Sequence, residues 1–129
     1  ECLAGSSGPR ASEFTMRWNA SVVVGAFRVL NRGGLFLIPA TDKSDQWLAP
    51  LLHNAAPLAF LAEQAKGAAS DGSQRILDLR PASITSRTPL FFGNAREVER
   101  LARYFRESEA EDQEEVLYPL FHNRSLFID

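Results

Sequence analysis

The sequence predicts a single α/β domain, and three observations carry that prediction. Residues 57–67 open on a proline suited to the first helical turn and close on a glycine suited to the left-handed residue just past the end. Between them Leu58, Leu61, Ala62 and Ala65 fall on one stripe. Residues 35–38 and 88–92 are short apolar runs punctuated by Pro39, Pro89 and Gly93, the pattern of strands buried on both faces. Residues 95–106 place Val98, Leu101, Ala102 and Phe105 at helical spacing, with Arg96, Glu99, Arg100 and Arg103 facing outward.

Length and charge bound the possibilities. At 129 residues the chain buries about two-thirds of its unfolded surface around one core, and a second full domain does not fit. Its 14 Lys and Arg residues nearly balance 16 Asp and Glu, so no strong field draws it to nucleic acid or to an anionic membrane. Cys2 is the only cysteine, which excludes an internal disulfide and a cysteine-based metal site and fits a reducing compartment, the cytoplasm by default. Residues 20–30 are too short to span a bilayer and are interrupted by Arg28, and the first ten residues lack the basic and apolar regions of a signal peptide. A chain opening at Glu1 without methionine is expected to be a cut-out or processed piece.

In chain order, residues 1–15 read as an exposed connection rich in Gly, Ser and Pro. Asn19 or Ser21 can cap a helix over residues 22–30, ended by Gly33-Gly34. Val22, Val23, Val24 and Val29 are β-branched and leave a strand reading open, but the length of the run favours a buried helix. Residues 40–46 are polar and read as a loop of the kind that lines a ligand crevice in α/β domains. Residues 76–79, stopped by Pro81, suit an edge strand or an anchored loop. Asn94 caps the last helix, with Glu97 completing a box-like start. From Ser108 the chain turns acidic and reads as a mobile linker, followed by an apolar tail at residues 117–127 that is expected to dock on the domain or on a neighbour. The expected division is therefore a domain at 1–107 and a linker with tail at 108–129.

One stretch carries a longer signature. Residues 51–67 read LLHNAAPLAFLAEQAKG, followed by QRILD at 74–78. This resembles the class I fructose-1,6-bisphosphatases, whose corresponding segment is close to LRLLYEANPMAFLVEQAGG with QRILD after a turn. The resemblance begins at residue 1, runs through Arg106 and returns at PLFxNRxLF in the tail, where it is closest to proteobacterial members. It implies an α/β fold with a mixed β-sheet covered by helices on both faces, an N-terminal phosphatase domain as partner, and assembly as a homo-oligomer.

The resemblance also implies where chemistry would lie. Arg17 matches the arginine that reaches the 6-phosphate of an adjacent subunit, a task suited to a planar guanidinium; taken by itself it is an ordinary surface arginine. Trp18 stands at an aromatic position, often tyrosine, and its indole only donates. Ile38 occupies a tyrosine position, Leu48 a lysine, Pro50 an arginine, and Asn54 the metal-ligating glutamate, so several polar groups are lost together. Lys43 could swing toward a phosphate in place of the lost lysine, or be no more than an exposed loop residue. His53 could ligate or act as an acid or base, although a lone histidine beside an apolar helix start is commonly structural. No Ser/His/Asp order, phosphate-cradling glycine loop or zinc spacing is present. No catalytic residue is assigned.

Two functions follow from this. The first is the substrate-recognition half of an Mg²⁺-dependent phosphatase that hydrolyses fructose-1,6-bisphosphate to fructose-6-phosphate and phosphate, inactive as an isolated chain because most metal-binding carboxylates of the family lie in its N-terminal half. The second is a diverged module of the same fold that binds or assembles without catalysis. The isolated chain is expected to hold no cofactor of its own.

Overall fold

A computed structural model describes residues 2–40 and 45–111. The expected α/β class holds. Helix α1 spans Val22–Arg32, strand β1 Leu35–Ile38, β2 Ala49–Pro50, helix α2 Ala56–Gln64, β3 Gly67–Ser70, β4 Arg87–Thr88, β5 Leu90–Asn94 and helix α3 Ala95–Glu111. Three strands form one sheet in the order β1-β5-β3, and β2 pairs with β4 in a separate ribbon. Every strand pairing among the described residues is antiparallel, so the expected mixture of strand directions is not found there.

The sheet is covered on both faces, as the alternation along β5 shows. Phe92 is completely buried and belongs to the core with Ala26 of α1 and Ala59 and Ala62 of α2. Phe91 points the other way and meets Phe105 of α3 edge to face, ring centroids 5.9 Å apart. Successive strand residues face opposite sides, so α1 and α2 lie on one face and α3 on the other.

Helix α1 settles the open alternative at residues 22–30. Ser21 is its N-cap: the Val24 amide donates to Ser21 Oγ at 3.4 Å, and the Ser21 amide donates to Asn19 Oδ1 at 2.8 Å. Gly33 ends it with φ 73°, its amide donating to the Val29 carbonyl. The helix is not buried all round; Gly25 and Ala26 are inside, whereas Val23, Val24, Phe27 and Leu30 are exposed. Small residues at the contact let the helix lie close, and a β-carbon on Gly25 would overlap the Phe36 ring.

Three further expectations are corrected. Strand β1 is an edge strand with Leu37 exposed, not buried on both faces, because the sheet ends there. In α2 the inward residues are Ala59 and Ala62, continuing from Ala55 just before it, while Leu61 is 48% exposed and Leu58 is only half-buried. Residues 88–92 are not one strand, since Pro89 separates β4 from β5, as a residue without an N–H must.

Glycine decides one end of the sheet. Gly93 was expected to stop its strand, yet it sits inside β5, paired with Leu35 and Ala68. Its φ is 152°, and a β-carbon there would overlap the Gly34 carbonyl oxygen. A β-carbon on Gly67 would in turn come 2.5 Å from the Gly93 carbonyl oxygen. Gly67 was expected as the left-handed residue after α2; Lys66 takes that conformation, φ 62°, and Gly67 begins β3. The need at position 67 is space, not positive φ.

Helix α3 starts as expected, with Asn94 Oδ1 accepting from the Arg96 amide at 3.0 Å. The Asn94 amide donates to the Gly34 carbonyl at 3.0 Å, which occupies the group a capping-box glutamate would take. Glu97 instead accepts from both terminal nitrogens of Arg10, including Nη1 to Oε2 at 2.9 Å, and ties the N-terminal segment to α3. The helix continues through Glu111, so residues 108–111, expected as the start of the linker, are helical backbone. The rest of the expected linker and the apolar tail lie outside the described residues, as does the loop at 41–44.

Gly93→Ala is expected to destabilise the domain by more than about 2 kcal/mol, because overlap with backbone cannot be relieved by a rotamer change. A melting curve of the purified variant within about 1 °C of the parent would contradict this reading of the sheet end.

Candidate functional site

The stretch from Asp45 to Ala55 is built in three steps. Asp45–Trp47 make one tight helical turn with no buried side chain, closed by the Leu48 amide donating to the Asp45 carbonyl at 3.0 Å. The chain then enters the β2–β4 ribbon, in register Ala49 with Thr88 and Pro50 with Arg87. The Leu51 amide donates to the Ser86 carbonyl at 2.8 Å and carries the pairing one residue further.

Next comes a π-helical turn, Leu51–Ala55, in which the Ala56 amide donates five residues back to the Leu51 carbonyl. Pro57 explains the widening. Its nitrogen has no hydrogen to send to the His53 carbonyl, so the ordinary four-residue return is missing where the helix should begin. Leu51 and Ala55 go inward and are buried, Leu52 and His53 stay exposed, and Asn54 is half-buried. No hydrogen bond to the Asn54 side chain is present among the described residues.

The other candidates are placed as follows. Arg17 and Trp18 lie on the extended segment before α1; both are exposed, Trp18 to 93%, and Arg17 has no ion-pair partner among the described residues. Neither is joined to Asn54 or Leu48 by a hydrogen bond. Ile38 shares a sheet face with Phe92 through its pairing with Leu90 and packs against the core. Leu48 is half-buried. Lys43 lies outside the described residues. His53 is exposed and makes no ion pair. Among the described residues no three His, Cys, Asp or Glu side chains converge. Magnesium requires several hard oxygen donors, so these residues do not by themselves form a site for it.

Sequence reasoning missed Arg87. From β4 its Nη1 donates to the carbonyls of Gln46 at 3.1 Å and Leu48 at 2.7 Å. Nothing local in the sequence foretells a link across about forty residues.

The charged knot around Arg75 is structural. Arg75 donates from Nε and Nη2 to the two Glu63 carboxylate oxygens, both at 2.6 Å, and from Nη1 to Asp78 Oδ1 at 2.7 Å. This fork fastens the end of α2 to the turn at Ile76–Asp78, whose Ile76 is buried in the core, and makes residues 76–79 the anchored loop rather than a strand. Hydrogen bonds from Arg75 hold the Glu63 carboxyl below its usual value, and Glu63 and Asp78 raise the already high value of Arg75. Ser6 likewise lowers Glu13 through its hydrogen bonds.

The fold and the segment around Pro57 define an α/β domain in which a helix follows a π-turn and is tied to an anchored loop at residues 76–78. Residues 4–106 match the family model for the fructose-1,6-bisphosphatase C-terminal domain, and the chain belongs to that family. A Xanthobacter autotrophicus protein named fructose-1,6-bisphosphatase class 1 2 is 48% identical over 107 residues, covering 81% of this chain and 32% of that protein. The Rhodospirillum rubrum fructose-1,6-bisphosphatase class 1 is 45% identical over 131 residues, covering 100% of this chain and 36% of that protein. The protein of the same name from Methylacidiphilum infernorum is 44% identical over 129 residues, covering 98% and 36%. The chain thus spans about a third of the length of the relatives it matches. No helix among the described residues is long and apolar enough to cross a membrane.

The Glu63–Arg75 pair has a pH signature. Glu63 is depressed in the folded state, so its contribution is complete above the unfolded value of about 4.5 and is lost as pH falls through the lower folded value. The pair is partly exposed, so solvent screening keeps the effect small. In Glu63→Gln the loss of stability on acidification below that value should be shallower than in the parent; parallel urea midpoints from pH 6 to pH 3 would refute it.

Proposed function

We propose that this chain is the substrate-recognition part of a fructose-1,6-bisphosphatase-type phosphatase, and that it does not hydrolyse fructose-1,6-bisphosphate alone. The supporting observation is the segment 45–55, where a ribbon and a π-turn present the stretch in which the family meets a sugar phosphate and ligates one metal ion. In the intact enzyme an N-terminal phosphatase domain would supply the remaining carboxylates for Mg²⁺, and that ion would polarise the phosphoryl group and its attacking water. This chain's part is to hold a phosphate ester through Arg17, with Trp18 and Lys43 as further candidate contacts, in a homo-oligomer in which Arg17 serves an adjacent subunit. The cytoplasm suits such an enzyme. Asn54 offers a neutral amide oxygen where a carboxylate would bind a cation far better.

A second reading, a diverged module that binds or assembles without catalysis, draws on the same segment. Ile38 is committed to the core and Leu48 carries no charge, so neither can grip a phosphate. Loss of a charged hydrogen bond costs about 2 kcal/mol, and two such losses weaken binding by about three powers of ten.

The isolated chain, incubated with Mg²⁺ and fructose-1,6-bisphosphate, is expected to release no phosphate above the blank; clear turnover would overturn the proposal. In the intact gene product, Asn54→Glu decides between the readings. A rise in activity supports a worn recognition site, and an unchanged rate favours a site rebuilt from other residues.

A further inference from the structure

Arg87 spends its guanidinium on main chain rather than on a carboxylate. One nitrogen, Nη1, serves the carbonyls of both Gln46 and Leu48, while Nε and Nη2 have no partner among the described residues. The side chain rises from β4 opposite Pro50, and cross-strand partners project to the same side of a ribbon. It therefore lies over the segment that leads into the π-turn.

What it holds is not anchored in the core. The turn Asp45–Trp47 has no buried side chain, and Trp47 is 72% exposed. The ladder bonds of the ribbon begin only at Ala49. Two carbonyls fixed by one rigid, planar group define the path of the intervening backbone, which a point-charge ammonium on a flexible stem does less well.

We propose that Arg87 is a positioning residue for the phosphate-ester site, setting the conformation of residues 45–50 before ligand arrives; this rests on the reading above that the segment meets a sugar phosphate. Without the clamp the turn spreads over more conformations, and apparent affinity falls with the fraction that remains competent. The ordering cost enters at binding, so KM rises while kcat holds.

The experiment uses the intact gene product with Arg87→Met and Arg87→Lys, reading fructose-1,6-bisphosphate turnover, calorimetric binding of the same compound, and amide exchange across residues 45–50. Arg87→Met should raise KM about tenfold, keep kcat within about twofold and speed exchange at the Leu48 amide; Arg87→Lys should recover part of each change. Unchanged exchange at Leu48 would overturn the clamp, and faster exchange with unchanged KM would overturn its role in binding. A matched fall in kcat and melting temperature, with KM constant, would make Arg87 a general stabiliser and also overturn the proposal. If the unsubstituted product neither binds nor turns over fructose-1,6-bisphosphate, the functional reading and the positioning role fall together, and the exchange data still report separately whether the clamp exists.

Discussion

Three strands of backbone meet at one end of the sheet with no side chain between them, and the rest of the domain is arranged around that approach. The Gly34 carbonyl lies where Gly93 would carry a β-carbon, and the Gly93 carbonyl lies where Gly67 would carry one. The same Gly34 carbonyl accepts the Asn94 amide. The turn after α1, the exit of β5 into α3 and the entry of β3 after α2 are thus fixed by one backbone stack. Space between main chains cannot be recovered by repacking, so positions 93 and 67 admit only glycine without movement of a neighbouring strand, whereas Gly34 has open space beside it and is favoured by its φ of 103°. All three helices take their position from this end.

The candidate site draws its position from the opposite kind of contact. The β2–β4 ribbon has two residue pairs and joins the core through Leu51, Ala55 and Ala49. Its outer turn buries no side chain, and Arg87 bonds the carbonyls of Gln46 and Leu48 in it. A segment built from polar contacts over a rigid base can adjust to a ligand at little cost, whereas the sheet end cannot. Rigid scaffold and adjustable rim are thereby separated within about a hundred residues.

This division also explains what could be read from the sequence. Helix ends were legible because their signals are local: Ser21, Gly33 and Asn94 act on amides and carbonyls within a few residues. The alternation of helix and apolar run gave the class. The inward face of α2 was misread because the stripe was drawn through its largest apolar residues, Leu58 and Leu61, whereas the close packing of this helix takes the small Ala59 and Ala62 inward. The role of Glu97 was misread because its partner, Arg10, is 87 residues away in the chain. Arg87 escaped for the same reason. The motif around Pro57 drew attention to the segment before α2, but the residue that bonds its backbone, Arg87, is distant in sequence.

The altered positions fit one physical pattern. Ile38, in place of a tyrosine, lies on the core face beside Leu90 and Phe92, and a half-buried branched side chain there contributes on the order of 1 kcal/mol. Pro50 needs no N–H in the short ribbon, where the next amide, that of Leu51, takes up the pairing with Ser86. Leu48 is half-buried and gives its carbonyl to Arg87. Each of these side chains is uncharged and is accommodated by burial or by main-chain bonding. The domain can keep its fold, and even gain stability, while its grip on a phosphate weakens. Selection for the scaffold therefore need not preserve the chemistry, which makes ligand binding, rather than folding, the property on which the two functional readings part.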